Sequence, residues 1–357
     1  MKKIGIVGTV GLPAQYGGFE TLTEYLAKEL SEKYDITVFC SSKSYKEKIE
    51  YYKGTRLKYI NFDANGISSI PYDIISIFKS LKFADTILIL GVSGCICLPI
   101  IKLFRKKRIV VNIDGLEWKR EKWGNFAKWF LRLSEKMAIQ YANVVIADNI
   151  AIKNYVKNEY GVHSELIAYG SDHVKREELS DELLGKYPFL NNPYAFKVCR
   201  IEPENNIHII LEAFKEYNAL NLVIVGNWKN SKYGVELKER YKNCENIFLL
   251  DAIYDQNILN QIRSNCYVYI HGHSAGGTNP SLVEAMYLGL PIIAYGVEYN
   301  LETTKYKAKY FKNKMELQNT LSNITENELQ IISKDMSEIA KKYYNWKLIA
   351  EQYAKLF

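Results

Sequence analysis

The sequence predicts an α/β protein of two doubly wound domains in tandem, which face each other across a central cleft. Apolar runs of strand length alternate with amphipathic segments of helix length, and this alternation is typical of parallel sheets covered by helices on both faces. It pauses at Leu184–Asn192, a polar stretch with proline and glycine, and then restarts. A chain of 357 residues also exceeds what one hydrophobic core usually supports.

The first predicted domain spans residues 1–185, and a C-terminal helix at 343–357 is expected to pack back onto it. Amphipathic segments predict helices at Thr21–Glu32 and Lys128–Tyr141. The predicted strands of this domain are Lys3–Gly8, Ile36–Cys40, Thr86–Leu90, Ile109–Ile113, Val144–Ala147 and Glu165–Ile167.

The second predicted domain spans residues 186–342 and repeats the same alternation. Its predicted strands are Ala195–Cys199, Leu222–Val225, Ile247–Leu249, Tyr267–Ile270 and Ile292–Ala294. Its predicted helices are Ile207–Tyr217, Gly234–Lys242, Gln256–Ser264, Ser281–Leu288 and Lys314–Asn323.

Composition narrows the range of partners. The formal net charge of +7 favours anionic partners, among them nucleotide sugars and an anionic membrane surface. We expect no nucleic-acid partner, because no recognition helix or RNA-stacking motif accompanies the basic residues. No apolar run approaches the roughly 20 residues of a membrane-spanning helix, and the N-terminal apolar stretch is too short for a signal peptide. These features predict a cytoplasmic protein.

The six cysteines and five histidines show no spacing typical of a metal or redox site. His271 and His273 would share one side of a strand, but no further ligand accompanies them. We therefore predict that the protein uses no metal and no cofactor.

The stretch His271–Met286 is the most informative motif. An apolar strand runs into Gly276 and Gly277, which allow close approach of a ligand because neither residue has a Cβ atom. Thr278–Ser281 then opens a helix whose first-turn N–H groups and dipole suit a phosphate or diphosphate. Glu284 lies one turn further, where its carboxylate would accept a hydrogen bond from a sugar hydroxyl. The motif predicts a nucleotide-sugar pocket.

A second glycine-containing loop follows the first predicted strand. Gly17 and Gly18 directly precede a helix, so free backbone amides are expected at the ligand-binding edge of the sheet. The spacing is not that of the Gly-x-Gly-x-x-Gly dinucleotide fingerprint. A plain glycine-rich turn is the alternative, although so long a loop favours binding.

Asp114 follows the strand Ile109–Ile113 and is expected at its carboxyl end, where parallel sheets bind ligands. Because Asp-Gly is also a common turn, a structural role is the alternative. Aromatic and basic side chains follow, a combination that suits sugar stacking or a membrane interface. They are Trp118, Lys119, Arg120 and Trp123.

The next predicted helix carries an aromatic and apolar stripe, which core packing explains most simply and membrane contact explains as the alternative. The stripe consists of Phe126, Trp129, Phe130 and Leu133. A basic cluster at Lys102–Arg108 favours contact with an anionic membrane.

Arg200 follows the first strand of the second predicted domain. Its forked donors would neutralise a diphosphate. An ordinary surface salt bridge is the alternative.

Four segments in this order resemble the bacterial rhamnosyltransferase branch of glycosyltransferase family 4. They are Tyr-Gly-Gly-Phe-Glu (16–20), Asp-Gly-Leu-Glu-Trp-Lys-Arg (114–120), Arg-Ile-Glu-Pro-Glu-Asn-Asn (200–206) and Gly-Gly-Thr-Asn-Pro-Ser-Leu-Val-Glu-Ala-Met (276–286). The likeness covers essentially the whole chain. It implies the GT-B fold of two Rossmann-like domains, and retaining, metal-independent transfer of a sugar in the synthesis of O-antigen, capsule or cell-wall polysaccharide.

The resemblance also implies roles for individual residues. Gly17 and Gly18 would face the donor diphosphate, and Arg200 would bind it. Asp114 would lie at the acceptor and the transferred sugar, either as an acceptor orienter or as a general base. Glu284 would bind the ribose of the nucleotide. The donor site would be completed by Gly276, Gly277, Thr278 and Asn279, and the acceptor or membrane side by Trp118, Lys119, Arg120 and Trp123.

Two positions depart from the wider family. Gly276 stands where the first of two glutamates is usual, and Asn205 stands where a lysine is usual. The diphosphate would therefore meet one positive charge less, and the donor sugar one carboxylate less. Both departures fit the rhamnose branch.

The substrates implied by the resemblance are dTDP-L-rhamnose and a lipid-linked saccharide, an undecaprenyl diphosphate derivative at the inner face of the plasma membrane. Three alternatives stay open. The donor could be UDP-galactose or UDP-glucose, the chain could be a sugar-nucleotide epimerase, or it could be a non-catalytic nucleotide-sugar-binding protein.

Overall fold

The computed structural model describes residues 1–15, 17–104, 107–120 and 123–357 of the chain. The chain forms two compact units, each built around its own sheet. The first unit comprises Met1–Gly170 and Trp346–Phe357, and the second comprises Ser171–Asn345. Both units have the doubly wound α/β architecture that the sequence predicts.

The first unit has an eight-stranded sheet in the order β3-β4-β2-β1-β5-β6-β7-β8. Every neighbouring pair is parallel except the hairpin of β3 and β4. The strands are β1 (Lys2–Val7), β2 (Tyr34–Ser41), β3 (Tyr51–Tyr52), β4 (Thr55–Ile60), β5 (Thr86–Leu90), β6 (Arg108–Asn112), β7 (Val144–Ala147) and β8 (Glu165–Leu166). The helices are α1 (Gly18–Leu30), α2 (Ser69–Ser80), α3 (Leu98–Phe104), α4 (Asn125–Tyr141) and α5 (Ile150–Tyr160).

The second unit has a six-stranded parallel sheet in the order β11-β10-β9-β12-β13-β14. The strands are β9 (Tyr194–Val198), β10 (Asn221–Val225), β11 (Ile247–Leu250), β12 (Val268–His271), β13 (Ile292–Tyr295) and β14 (Lys309–Phe311). The helices are α6 (Asp181–Lys186), α7 (Ile207–Glu216), α8 (Lys232–Tyr241), α9 (Gln256–Ser264), α10 (Pro280–Tyr287), α11 (Glu298–Thr303), α12 (Lys314–Asn323) and α13 (Glu326–Tyr343).

The central strands are buried on both faces, which explains why their sequences read as continuous apolar runs rather than as alternating ones. All of β5, with the sequence Thr-Ile-Leu-Ile-Leu, is buried. Helix ends follow local chemistry. Asn149 accepts a hydrogen bond from the amide of Ala151 at the start of α5, and Thr325 and Glu328 form a capping box at the start of α13.

Every predicted strand coincides with an observed one, with ends that differ by a residue or two. The sequence analysis did not predict the β3–β4 hairpin, β14, or the helices α2, α3, α5, α6, α11 and α13. The hairpin is short and polar on its outer side, so its apolar pattern is too brief to stand out.

The boundaries of the two compact units differ from the predicted domain boundaries at 185/186 and 342/343. The chain passes from the first unit to the second after Gly170, and returns after Asn345. The segment after Gly170 belongs to the second unit because it hydrogen-bonds to α9 and its C-terminal end. Asn265 Nδ2 donates to the carbonyl of Glu177 at 2.8 Å, and the amide of Ser180 donates to Gln261 at 2.9 Å.

The chain ends in α14 (Trp346–Ala354), which belongs to the first unit. The indole of Trp346 stacks on Tyr25 of α1 with ring centroids 4.5 Å apart. Tyr353 is fully buried, and its hydroxyl accepts a hydrogen bond of 2.8 Å from the side-chain amide of Asn112. The last helix therefore reaches the carboxyl end of β6.

Candidate active site

In the second unit, the loops that follow β9 and β12 are joined by hydrogen bonds at the carboxyl edge of the sheet. Asn206 Nδ2 donates to the carbonyl of Gly272 at 2.8 Å. The amide and hydroxyl of Ser274 both donate to the carbonyl of Glu204, at 2.8 and 2.9 Å. Asn300 adds a bond of 2.8 Å to the carbonyl of His273. The two loops therefore form one rigid surface.

Arg200 is exposed on this surface, just beyond the end of β9. Its carbonyl accepts a 2.6 Å hydrogen bond from the side chain of Asn205. Asn205, which stands where the wider family has lysine, is therefore a buried structural residue that closes the loop. Asn206 follows with φ of 50°, a left-handed conformation that asparagine tolerates better than most residues.

Two glycines of the loop after β12 have different reasons to be glycine. A Cβ atom on Gly272 would lie 2.3 Å from the carbonyl oxygen of Asn205, so close packing requires this glycine. Gly276 has φ of +116°, and apart from its two chain neighbours no atom of the described residues lies within 4 Å of the position its Cβ would take. Gly276 therefore lies beside open space, as a residue that receives a ligand would.

The start of α10 differs from the expectation of free first-turn amides. The side chain of Asn279 caps the helix and accepts a hydrogen bond of 3.1 Å from the amide of Ser281. Pro280 has no N–H, and the amide of Leu282 donates to the carbonyl of Asn279 at 3.0 Å. A diphosphate at this helix would therefore have to bind the backbone before the first turn, from Gly276 to Asn279. Thr278 is buried there.

Glu284 is held in an ion pair that the sequence analysis did not foresee. Its carboxylate contacts the guanidinium of Arg263, which is fully buried on α9, and lies 3.1 Å from His173 Nε2. Burial raises the pKa of Glu284, but Arg263 and His173 outweigh it and lower the pKa from 4.5 to about 2. Arg263 is further fixed by a 2.8 Å hydrogen bond to Asn260. Glu284 is therefore kept ionised, and an ionised carboxylate is a strong, acceptor-only partner for hydroxyl groups.

Neither Arg263 nor His173 carries a signal in the sequence. Arg263 lies within an amphipathic helix and His173 lies beyond the predicted motifs, and only the tertiary fold brings them to Glu284. Removing Glu284 would leave a buried arginine without its charge partner, which typically costs about 3–5 kcal/mol. A loss of activity in Glu284 variants could therefore come from weaker substrate binding or from lower stability. Arg200 is exposed, so its substitution tests substrate binding with less effect on stability.

In the first unit, Gly17 precedes α1 with φ of +143°. Glu20 folds back over this turn, and its carboxylate accepts a 2.8 Å hydrogen bond from the amide of Val10. A Cβ atom on Gly17 would lie 1.8 Å from Glu20 Oε2. Packing thus explains part of the need for glycine, and a carboxylate lies at the helix start where Gly17 and Gly18 were expected to meet a diphosphate. Tyr16, the first residue of this motif, lies outside the described residues.

Asp114 lies at the carboxyl end of β6, as predicted, with φ of +58°. A left-handed conformation is unusual for a residue other than glycine and often marks a functional turn. Asn112 stabilises the turn, because its side-chain oxygen accepts a 3.0 Å hydrogen bond from the amide of Asp114. Arg120 lies 4.0 Å from the Asp114 carboxylate and pairs with Glu117 at 2.7 Å.

Trp118 is anchored within the first unit. Its indole N–H donates to Glu135 of α4 at 3.2 Å, and the Tyr155 and Tyr160 hydroxyls donate to the same carboxylate at 2.8 and 2.9 Å. The ammonium of Lys119 lies over the Trp118 ring, 5.5 Å from its centroid.

The indole of Trp123 donates to Glu117 at 3.0 Å. Glu117 therefore links Trp123 to Arg120, and the intervening residues Glu121 and Lys122 lie outside the described part of the chain. The acceptor or membrane role of Trp118, Lys119, Arg120 and Trp123 stays a prediction.

Core packing, the simpler interpretation of the stripe on α4, is wrong for two of its residues. Phe126 is 77% exposed and Trp129 is 59% exposed, with their ring centroids 5.8 Å apart. Phe130 and Leu133 are half-buried. Among the described residues, no helix has both the length and the apolar character needed to cross a bilayer.

The described residues contain no group of three or more His, Cys, Asp or Glu side chains placed to hold a metal ion. The rings of His271 and His273 stack instead, with centroids 4.4 Å apart.

Two family models match the chain, one for each unit. Residues 1–172 match a domain of unknown function (DUF1972), and residues 181–343 match Glycosyl transferases group 1. The second match contains the whole surface from Arg200 to Glu284.

Relatives and solved structures extend over the full chain. An uncharacterized glycosyltransferase of Methanocaldococcus jannaschii is 24% identical, covering 100% of this chain and 99% of the relative. Sucrose-phosphate synthase of Thermosynechococcus elongatus superposes with a TM-score of 0.81 at 16% identity, covering 100% of this chain and 98% of the synthase. Anabaena HepE, solved with UDP, gives 0.78 at 17% identity and covers 99% of both chains. The chain therefore has the GT-B fold, and residues 181–343 match the glycosyl transferases group 1 family.

We expect the Glu284 carboxylate to make the free energy of unfolding depend on pH in the acid range. Its pKa is about 2 in the folded protein against an ordinary 4.5. A lowered carboxyl pKa stabilises the fold fully above about pH 4.5, and this contribution is lost as the pH falls towards about 2. The shift corresponds to roughly 3 kcal/mol. Urea denaturation at several pH values should show that the wild type loses about this much more stability than Glu284→Gln. Equal pH dependence of the two proteins would contradict the ion pair.

Proposed function

We propose that this protein is a glycosyltransferase that moves L-rhamnose from dTDP-L-rhamnose onto a lipid-linked saccharide, with retention of configuration and without a metal ion, in the synthesis of surface polysaccharide. The proposal rests on the arrangement of residues at the carboxyl edge of the second sheet. Two loops at this edge are hydrogen-bonded to each other. They carry the exposed Arg200 and the open space beside Gly276, and the helix α10 that follows carries the ionised Glu284.

Groups of opposite charge bind two parts of the donor: a cation binds the diphosphate, and a carboxylate binds the ribose. Arg200 presents a guanidinium that pairs with the diphosphate through parallel N–H donors. The backbone from Gly276 to Asn279 adds amides beside it. Glu284 accepts hydrogen bonds from the ribose hydroxyls, while Arg263 and His173 hold its carboxylate from behind.

The reaction breaks the bond between the sugar and the diphosphate, and negative charge develops on the leaving phosphate while the sugar becomes oxocarbenium-like. Arg200 and fixed amide dipoles stabilise that charge. The acceptor hydroxyl attacks from the face that the phosphate leaves, and the phosphate takes its proton. Asp114, held by Asn112, orients the acceptor.

The character of position 276 supports rhamnose. The wider family places a glutamate there that would serve a sugar hydroxyl, whereas glycine offers open space and no acceptor. A 6-deoxy sugar has one hydroxyl fewer to satisfy. A UDP-hexose is the second candidate donor, because the similarly folded HepE was solved with UDP-glucose.

The acceptor side is proposed to contact an anionic membrane through an apolar patch on α3 and α4. The patch consists of Ile100, Leu103, Phe126 and Trp129, all more than half exposed. Lys102 on α3 and Lys128 on α4 lie in the same two helices, and cations beside exposed apolar residues favour an anionic leaflet. Arg105 and Lys106 of the basic cluster lie outside the described residues. Such contact would bring the enzyme to an undecaprenyl-diphosphate-linked acceptor at the inner face of the plasma membrane.

The donor is tested with purified protein, a membrane-lipid acceptor extract, and dTDP-L-rhamnose, UDP-galactose or UDP-glucose in turn. We expect nucleotide diphosphate release and a product mass increased by one deoxyhexose only with dTDP-L-rhamnose. Arg200→Ala should lower kcat by roughly 100-fold or more, and Arg200→Lys should lower it less, both with unchanged thermal stability. A product with UDP-hexose alone would establish the second candidate. Donor binding without turnover would establish a binding protein.

A matched pair of variants tests Asp114. Asn tolerates the left-handed conformation and keeps the shape of the side chain, so Asp114→Asn should fold normally. We expect its transfer rate to fall by roughly 100-fold, within the usual contribution of a group that handles a proton or orients a nucleophile, while donor affinity stays unchanged. Asp114→Gly, which relaxes the backbone, serves as the control for conformation. Near-normal kcat in Asp114→Asn would remove the carboxylate from the reaction.

Co-sedimentation with vesicles tests the membrane patch. The wild type should bind phosphatidylglycerol vesicles and not phosphatidylcholine vesicles. The double variant Phe126→Ser/Trp129→Ser should lose about tenfold or more in vesicle affinity, since each ring buries apolar area in the interface. Ile331→Ser, an equally exposed apolar residue of the second unit, is the control and should bind as the wild type does. If the double variant binds vesicles as tightly as the wild type, the proposed membrane contact is wrong, whereas the proposed transferase activity is unaffected.

A further inference from the structure

Lys197 is a fully buried lysine in β9, one residue before the end of this central strand. It lies on the same face of the sheet as Ala195 and Cys199, because side chains on one face recur every two residues. Its Nζ atom has no hydrogen-bond partner among the described residues. Buried polar groups almost always have a hydrogen-bond partner, so the unpartnered amine of Lys197 requires an explanation.

The surroundings of Lys197 are unfavourable to a positive charge. Burial lowers the pKa of its amine, and the titratable groups that interact with it are Cys199, directly after β9, and His271 on β12. Helix α7 presents the apolar Ile210, and the partner of Lys197 on β10 is the apolar Ile224. The loop after β9 also carries Glu202 and Glu204, but no carboxylate among the described residues contributes to the pKa shift of Lys197.

The amine lies directly below the junction of the two loops that form the candidate donor site. A Cβ atom on Gly272 would be 3.2 Å from Lys197 Nζ and 2.3 Å from the carbonyl of Asn205. The same junction is closed above by the bond between Asn206 and Gly272. One of these loops carries Arg200 and the other carries Gly276, so an ammonium at this point faces the ligand surface from beneath.

We propose that Lys197 is a supporting cation for the nucleoside diphosphate, an amine that takes up a proton from solvent when the diphosphate binds above it. This inference rests on the proposed donor site. It explains how the surface works with Asn205 in place of a lysine, since Asn205 closes the loop and Lys197 supplies the charge from the strand below. Lys197 does not touch the donor. It acts through the field at the two loops, where little water screens it.

Burial shifts Lys197 of the free protein towards the neutral amine, because an unpaired charge in an apolar interior is costly. A bound diphosphate supplies the missing negative charge and makes the ammonium favourable. The coupling is reciprocal, so proton uptake strengthens nucleotide binding by the same amount.

Isothermal titration calorimetry of dTDP in two buffers of different ionisation enthalpy measures this proton uptake. Between about pH 8 and 9.5 histidines and the nucleotide phosphate are already deprotonated, so uptake there reports an amine. We expect the wild type to take up a substantial fraction of one proton per dTDP. Lys197→Met should abolish this uptake and weaken dTDP binding about tenfold at neutral pH. Lys197→Arg, which stays charged, should bind dTDP without uptake.

Thermal stability separates this role from a structural one. Lys197→Met replaces an unpaired amine by an apolar side chain of similar length, so we expect its Tm to rise while nucleotide affinity falls. Lys232→Met, at an exposed lysine, is the control and should change neither quantity. Wild-type binding without proton uptake, or uptake that persists in Lys197→Met, would overturn the inference while the proposed function stands. If the wild type binds neither dTDP nor UDP, the donor site and this inference fall together.

Discussion

The hydrogen bonds that join the loops after β9 and β12 are the constraint on which the candidate site depends. Each loop alone is a flexible connection, and neither could hold Arg200 at a fixed distance from the start of α10. The bonds from Asn206 to Gly272 and from Ser274 to Glu204 remove that freedom. Stabilisation of a developing phosphate charge requires donors that are already in place, because reorganisation during the reaction would consume the advantage. The asparagine-rich loop is therefore part of the site although its side chains point inward.

Two buried basic side chains, Arg263 and Lys197, lie below this edge, and they differ in whether they have a charge partner. Arg263 and Glu284 form a pair, so the carboxylate stays ionised and both groups hold α9 and α10 together. Lys197 has no such partner among the described residues, and a buried polar group without a hydrogen bond costs free energy. An apolar residue at this position would pack better and would make the folded protein more stable. A lysine beneath the surface expected to bind a diphosphate is consistent with a lower stability that is offset by a higher affinity for the ligand, as is common at functional sites.

Much of the fold could be predicted because periodicity is local. Strand β5 reads as an apolar run and α9 as an amphipathic segment, and both occur where the pattern places them. The carboxyl-end position of Asp114 followed from the same reasoning. The boundary between the units could not be predicted, because it depends on hydrogen bonds between the segment after Gly170 and α9, and long-range bonds leave no periodic trace. The polar segment Leu184–Asn192, at which the strand and helix pattern pauses, lies within the second unit.

Residues of the candidate site could be predicted where they stand in a motif that directly follows a strand. Residues that only tertiary contacts bring to the site could not be predicted. Arg200, Gly276 and Glu284 lie together on the carboxyl edge because they follow β9 and β12, neighbouring strands of one sheet. Arg263, His173 and Lys197 escaped because none follows a strand end in a recognisable motif. The exposure of Phe126 and Trp129 also escaped, since a stripe at helical spacing looks the same whether it faces a core or water.

The turn at Asp114 shows how far apart in sequence the parts of one site can be. A left-handed aspartate is strained by an amount of order 1–3 kcal/mol and persists only when its surroundings support it. Asn112 supplies that support, and Tyr353 in the last helix fixes the orientation of the Asn112 amide. The turn at Asp114 is therefore supported indirectly by α14, which is far from it in the sequence. Because α14 follows the second unit in the chain, this support is available only after residues 171–345 have been synthesised.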